Sequence, residues 1–136
     1  MARTHKPSTA YLAIADRIIA DTLAHGGGTY HARTGDAITH ARGYYVGGAL
    51  DTIKADASDP NTAASAVAYM MHMIPVNGNH EPMHYLGTWM HDGIIYIDAT
   101  DHHTDAITAL DVGRVRGELS IWDIKNARAV FIGYDR

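Results

Sequence analysis

The chain has 136 residues, which is the length of one ordinary domain. Its formal net charge is −4 and it has no run of basic residues, which argues against a protein that binds duplex nucleic acid. Apolar residues make up 46% and charged residues 19% of the chain, a globular composition that excludes wholesale disorder. Cysteine is absent, which excludes disulfides, thiolate metal sites and a cysteine nucleophile.

The first periodic segment predicts a helix over residues 9–24. Its apolar residues recur every three or four positions and so share one helix face. They are Leu12, Ala15, Ile18, Ile19 and Leu23. Ser8 or Thr9 can cap the start of this helix, and the glycines at 26–28 end it.

Residues 29–48 are rich in Gly, Thr and Tyr, so we expect short strands near residues 29–31, 37–40 and 44–46. Residues 49–58 are expected to form a loop or a short helical turn. A second helix begins at Asp59-Pro60, because aspartate caps free amides and proline suits the first helical position. Its apolar face is Ala63, Val67, Met70, Met71 and Ile74, it ends at Pro75, and residues 76–82 are expected to be a loop.

The clearest local signal is a hairpin made of residues 85–90 and 94–99. Asp92-Gly93 between two strand-like runs favours a two-residue turn with positive φ. Such a turn fixes the register, pairing His91 with Ile94, Trp89 with Tyr96, Gly87 with Asp98, and His84 with Asp101. One face of the hairpin is then apolar and belongs in the core, and the other carries Tyr85, Trp89, His91, Tyr96 and Asp98.

A third helix is predicted over residues 104–116, capped by Thr104 and ended by Gly117. Its apolar stripe is thin (Ala106, Ile107, Leu110 and Val115), and Gly113 weakens it by about 1 kcal/mol relative to alanine. A final hairpin is expected from residues 119–124 and 129–132. The element order predicts a single α+β domain over residues 1–136, a mostly antiparallel sheet with about three helices packed on one side.

Several strand and turn segments carry a resemblance to a known group of proteins. They are residues 86–89 and 91–98, the helix that follows, Gly117 to Ile124, Gly27-Gly28-Thr29, Thr34-Gly35 and Gly43-Tyr44-Tyr45-Val46-Gly47. These segments resemble small uncharacterised accessory proteins encoded by bacteriophages of actinobacteria and by some related prophages. The resemblance covers roughly the whole chain and implies a viral accessory protein that acts in the cytoplasm of a host bacterium; it carries no set of catalytic residues. The absence of a long apolar run and of a signal-like start agrees with that location and with no membrane partner.

Histidine is unusually frequent, with ten residues. Between residues 80 and 105 several histidines lie near aspartates, and together they could bind a divalent metal such as zinc or manganese that activates water. The candidate ligands are His84, His91, Asp98, His102 and His103. No spacing matches a specific metal motif, so the alternative is a set of solvated loop histidines and no cofactor.

A second group of residues could bind a small anionic ligand, because it combines aromatic rings with guanidinium groups. These residues are Tyr30, Arg33, Arg42, Tyr44, Trp89 and His91. The structural alternative is that the aromatic residues pack against a helix or another subunit.

Three functions remain open. The favoured one is a binding protein without a catalytic residue, which sequesters a compact nucleotide-like immune signal such as a cyclic nucleotide or an ADP-ribose derivative; the analogy with phage anti-defence proteins rests on size and lineage. The second is a metal-dependent phosphoesterase that uses the His/Asp cluster, and the third is a protein inhibitor of a host enzyme. A homo-oligomer is expected, because the core is thin and strand edges need cover.

Overall fold

One antiparallel sheet with helices on a single face forms the part of the chain that the computed structural model describes, residues 9–75 and 84–132. The elements follow the chain in this order: α1 (Thr9–His25), β1 (Gly27–Tyr30), β2 (Tyr44–Val46), β3 (Ile53–Asp56), α2 (Pro60–Met73), β4 (His84–His91), β5 (Ile94–His103), α3 (Ala106–Arg116), β6 (Ser120–Asp123) and β7 (Arg128–Phe131). The predicted α+β class, with helices on one side of a mostly antiparallel sheet, is confirmed.

The long strand β5 organises the sheet. The strand order is β1-β4-β5-β2-β6-β7, and β3 also pairs with β5. β4 runs along one side of β5, whereas β3 pairs with residues 94–97 and β2 with residues 101–103 on its other side. β2 and β3 therefore lie end to end along the same side of β5.

The first two helices form where the periodicity predicts them. Asp59 accepts a hydrogen bond from the Thr62 amide at the start of α2, and Pro60 occupies the first turn. The predicted α2 face is fully buried, and so are Ala15, Ile18 and Ile19 of α1. Leu23 is instead 37% exposed, and the buried position beside it is Thr22, whose hydroxyl bonds to Ile18 O and to Thr88 Oγ1.

The β4–β5 hairpin has the register that the sequence predicts. Asp92 and Gly93 have φ of 51° and 76°, as a two-residue turn with the twist of antiparallel strands requires. His91 pairs with Ile94, Trp89 with Tyr96, Gly87 with Asp98, and His84 with Asp101. The apolar face of this hairpin packs against α1 and α2. Its residues Leu86, Ile95, Ile97 and Ala99 are completely buried there.

The helix-covered face has two separate apolar cores. The larger lies between α1, α2 and the sheet, whereas the smaller is formed by Val46, Ala109, Ile121 and Ile132 under α3. Asp101 of β5, which is 1% exposed, pairs with Val46 of the smaller core on one side and with His84 on the other.

Two local predictions are wrong. Residues 37–40 contain no strand, and only an isolated bridge joins Ala37 to Tyr30. Residues 53–56 form β3 instead of a loop, since β5 is long enough to accept a second short partner beside β2. The expected loop at 76–82 lies outside the described residues.

The start and the buried face of α3 also differ from the prediction. β5 extends to His103, so the cap moves to Asp105, which accepts hydrogen bonds from the Thr108 amide and hydroxyl. Ile107 and Val115 are 71% and 89% exposed, whereas Ala109 and Gly113 are buried. The helix packs through small residues because it lies close to the sheet. Gly117 ends it in the left-handed conformation, as predicted.

Among the described residues, no helix combines the length and the apolar character needed to cross a bilayer.

Candidate functional site

The face of the sheet opposite the helices carries many rings, and we call it the aromatic face. Side chains alternate along a strand, so the registers place these rings on the same side. Its aromatic and imidazole residues are Tyr45, Tyr85, Trp89, His91, Tyr96, His102, Trp122 and Phe131. No described helix packs on this face.

Trp89 lies on the β4–β5 part of the aromatic face, with 55% of its surface accessible. The His91 ring stacks on it with a centroid distance of 5.0 Å and an interplanar angle of 11°. Tyr96 on the paired strand lies 5.4 Å from Trp89, and Lys54 of β3 places its Nζ 5.8 Å from the Tyr96 ring centre. We call these four residues the Trp89 platform. It offers a flat apolar surface with one cation beside it.

β4 has no side chain at Gly87, next to the Trp89 platform, and we call the part of the aromatic face around Gly87 and Asp98 the notch. Gly87 pairs with Asp98 of β5. A Cβ on Gly87 would lie 2.6 Å from the hydroxyl oxygen of Thr100, so no side chain fits without displacing Thr100. The Thr100 side chain, which is 6% exposed, therefore lies over Gly87, between Trp89 and Tyr85.

Two carboxyl groups meet at one side of this notch. Glu118 Oε1 and Asp98 Oδ2 lie 2.9 and 3.3 Å from the point that a Cβ on Gly47 would occupy, so these oxygens are no more than about 6 Å apart. Burial raises the pKa of Asp98, although hydrogen bonds from Thr52 and Gly48 oppose the rise. Burial, followed by the charge of Asp98, raises the pKa of Glu118, and Arg116 opposes this. The pair therefore holds protons more tightly than ordinary carboxyl groups do.

The other side of the notch is closed by a cluster of rings around His40. The His40 and His102 rings stack at 3.7 Å and 8°, and His40 Nδ1 lies 2.7 Å from the hydroxyl of Tyr45. Tyr85 contacts the edge of His40, and His102 Nε2 lies 2.9 Å from the carbonyl oxygen of Arg42. Burial raises the pKa of Tyr45, so its hydroxyl stays protonated. The cluster holds the segment before β2 against the sheet.

The structure brings together only two of the six predicted ligand residues, Trp89 and His91. Tyr30 is 3% exposed on the helix-covered face, and its hydroxyl donates to Asp21. Arg33 donates to the carbonyl oxygens of Met71 and Ile74 at the end of α2, which is a structural contact.

The two remaining ligand candidates also lie away from the platform. Tyr44 packs beside the smaller core, and Arg42 is exposed in the segment before β2. Lys54 and Glu118 are the neighbours that sequence reasoning did not group with Trp89, whereas the predicted hairpin face already included Tyr96 and Asp98. The hairpin register supplied these two residues, but β3 and Glu118 needed the tertiary fold.

The five predicted metal ligands do not converge. His84 and His103 flank Asp101 on the helix-covered face, His102 stacks on His40, and His91 stacks on Trp89. Asp98 faces Glu118. Within residues 9–75 and 84–132, no group of three or more His, Asp or Glu side chains has a geometry that could hold a metal ion.

A buried ion network around Asp101 was not anticipated as a unit. His84 Nε2 and His103 Nε2 each lie 3.2 Å from an oxygen of this carboxylate, and Arg116 Nη2 donates to it at 2.6 Å. The network lies under the helices, on the other side of the sheet from the Trp89 platform, and it joins the two cores.

No protein-family model, curated protein or solved structure matches this chain. The functional interpretation therefore rests on the residues of the aromatic face.

Proposed function

We propose that this protein binds a compact nucleotide-like ligand on the aromatic face, with the base of the ligand stacked on Trp89. The observation that carries the proposal is the exposure of Trp89 on a central strand, where it stacks with His91 and lies beside Tyr96. An indole that is 55% exposed between two further rings provides a ready stacking surface. Stacking of a base on an aromatic side chain contributes about 1–3 kcal/mol to binding.

The position of Lys54 favours a ligand that carries an anionic group. Its ammonium lies over Tyr96, next to the position of the stacked base, and no other described Lys or Arg contacts the platform rings. A single cation suits one phosphate or diphosphate better than a polyanionic strand, which needs a basic groove. The net charge of −4 agrees with a small ligand rather than a nucleic acid.

The carboxyl group of Asp98 at the notch supports a sugar on the ligand. Asp98 lies there as a hydrogen-bond acceptor, and carboxylates bind ribose hydroxyls in many nucleotide sites. The base, the sugar and the phosphate would then contact Trp89, Asp98 and Lys54. These residues replace the arginines as the recognition set for the ligand class that the sequence favoured.

Tryptophan fluorescence tests the proposal directly, because the chain has only two tryptophans. Trp122→Phe leaves Trp89 as the sole reporter, and titration with cyclic dinucleotides and with ADP-ribose should change its emission saturably. Trp89→Ala should weaken binding at least about five-fold, as the loss of one stacking contact requires. The matched control is Trp122→Ala, at the other end of the same face, which should bind normally. Equal affinity of the two alanine variants would refute the assignment of the site.

Lys54 provides a test of the ligand's charge. Lys54→Gln should weaken binding of ADP-ribose and leave binding of uncharged adenosine unchanged. Equal losses for both ligands would show that Lys54 does not contact a phosphate. If none of these small molecules shifts the melting temperature or the emission, the proposal fails and inhibition of a host protein becomes the better hypothesis.

A second candidate function is hydrolysis of the same ligand at its glycosidic bond. The observation that favours it is the Asp98–Glu118 pair, because retaining glycosidases place two carboxyl groups about 5 Å apart and keep one of them protonated. Chromatography of ligand recovered after incubation distinguishes binding from hydrolysis. Loss of ligand that Glu118→Gln abolishes supports carboxyl catalysis, whereas loss that a chelator abolishes supports the metal-dependent phosphoesterase.

A further inference from the structure

We propose that two copies of this chain associate through the outer edge of β7, in antiparallel register about a two-fold axis at Val130, so that the two sheets become one. This inference concerns a surface about three strands away from the Trp89 platform. It does not depend on the identity of any ligand.

No described strand pairs with the outer edge of β7. β7 is the last strand of the sheet in the described part of the chain. The Ile132 amide donates to Leu119 O at 2.9 Å, so alternate residues of this strand direct their main-chain groups toward β6. Ala129 and Phe131 therefore direct their N–H and C=O groups away from β6, where a further strand would pair with them.

The other edges of the sheet are covered or charged. Next to β1, Tyr30 forms a bridge with Ala37, and the Ile38 amide donates to Thr29 O. The aromatic-face residues of β3 are Lys54 and Asp56, and such charges discourage association of edges. In β7 the residues on that face are Ala129 and Phe131. Among the described strands, this edge alone combines the lack of a described partner strand with an apolar surface.

The residues of β7 are complementary in size to those of a second copy when Val130 lies on the two-fold axis. Ala129 of each copy then pairs with the partner's Phe131, which gives two hydrogen-bonded pairs that use the outward main-chain groups. Ala129 already pairs with Trp122 inside the protomer and has only a methyl group beside it. The partner's Phe131 fits over this alanine and reaches the open flank of Trp122.

The apolar surface that becomes buried is small, which favours a dimer of modest affinity. Phe131 is 76% exposed and Trp122 is 44% exposed. An aromatic side chain buries on the order of 200 Å² when it is covered, so the two rings contribute roughly 240 Å² in each copy, beside the main chain and Val130. Stable complexes bury about 800 Å² per partner, so we expect a dimer that dissociates on dilution.

Disulfide trapping tests the register, because the chain has no cysteine of its own. Val130→Cys places two thiols at a non-hydrogen-bonded pair, where the Cα atoms are about 4.5 Å apart and a disulfide can form. Arg128→Cys is the matched control on the same strand and the same face. Its two Cα atoms would lie roughly 13 Å apart, beyond the reach of a disulfide. Mild oxidation should convert Val130→Cys to a covalent dimer at least ten-fold more completely than Arg128→Cys.

Light scattering after size exclusion provides the second measurement. The wild type should show a mass near twice 14.8 kDa at high concentration. Phe131→Lys should be monomeric with an unchanged melting curve, since that side chain is outside both cores. The proposal would be overturned by equal cross-linking of the two cysteine variants or by a wild type that stays monomeric at millimolar concentration. It would also be overturned by a mass that grows without limit or by a Phe131→Lys protein that remains dimeric.

Discussion

Arg116 donates a 2.6 Å hydrogen bond to Asp101 across the boundary between the two cores. The same guanidinium bonds to the carbonyl oxygens of Val46 and Gly47 through Nη1. Asp101 is 1% exposed near the C-terminal end of β5, and Arg116 is the last residue of α3. One side chain therefore joins α3 to two strands at a place where apolar packing is interrupted.

Asp101→Asn should destabilise the protein by about 3 kcal/mol or more, because it keeps the shape but leaves a part-buried guanidinium without its counter-charge. Urea unfolding followed by circular dichroism measures this. Asp111→Asn is the matched control, since Asp111 forms an exposed pair with Arg114 at 3.1 Å and such pairs contribute little. Equal transition midpoints for the two variants would show that the network does not stabilise the fold.

Gly113→Ala should be destabilising even though alanine is favoured in helices by about 1 kcal/mol. A Cβ at this position would lie 2.6 Å from Ile132 Cδ1 and 3.1 Å from Ile121 Cγ2, so these side chains must move at a cost of about 1–3 kcal/mol. Ile132→Val removes the nearer methyl group. In that background the same glycine substitution should be neutral or stabilising. Additive effects of the two changes in thermal unfolding would contradict the packing explanation.

Asp92→Asn should leave stability nearly unchanged, whereas Asp92→Val should cost about 1–2 kcal/mol. Asp92 has φ of 51°, a left-handed conformation that asparagine adopts readily and β-branched residues avoid. The side chain is exposed, so burial contributes nothing to the difference. Thermal unfolding of both variants measures it, and equal losses would mean that the turn conformation does not limit stability.

The carboxyl pair at the notch should make stability fall as pH rises from mildly acidic values. Burial raises the pKa of Glu118, so the folded protein binds this proton more tightly than the unfolded chain. The stability that the proton supplies is complete below the ordinary pKa near 4.5 and is lost as pH rises through the higher folded-state value. Glu118→Gln should flatten this part of the melting-temperature profile and raise the melting temperature at pH 7.

Asp105 provides a control of opposite sign for that profile. Hydrogen bonds from the Thr108 amide and hydroxyl lower the pKa of Asp105, so the folded protein favours its charged form. Its contribution is present above the ordinary pKa near 3.8 and is lost as pH falls. Asp105→Asn should therefore lower the melting temperature at pH 7 and reduce the loss of stability in acid. The same change of profile in both variants would contradict these assignments.

The β4–β5 hairpin shows which features the local sequence determines. Asp92-Gly93 fixes a two-residue turn, and that turn alone sets Trp89 opposite Tyr96 and separates the apolar residues from the rings. The short strand β3 is a feature that the local sequence does not determine. Its four residues have no strong period, and they form a strand only because β5 is long enough to offer an unpaired segment beside β2.

The candidate site shows the same division. Trp89 and His91 were predicted to be accessible because they alternate with core residues in one strand. Lys54 and Glu118 come from segments far away in sequence, and no periodicity indicates that the first reaches Tyr96 or that the second faces Asp98. The arginines were predicted at the ligand because of their charge, but Arg33 satisfies carbonyl groups at the end of α2.

By itself the sequence determined the features that depend on neighbours along the chain: two amphipathic helices, the caps at Asp59 and Gly117, one tight turn, and the sorting of a hairpin into apolar and aromatic sides. The tertiary structure decided which strands pair, that Asp101 and Arg116 join two cores, and that two carboxyl groups meet above Gly47. The physical reason is that helix and turn preferences are local free energies, whereas strand pairing and burial depend on segments that meet only when the whole chain has packed.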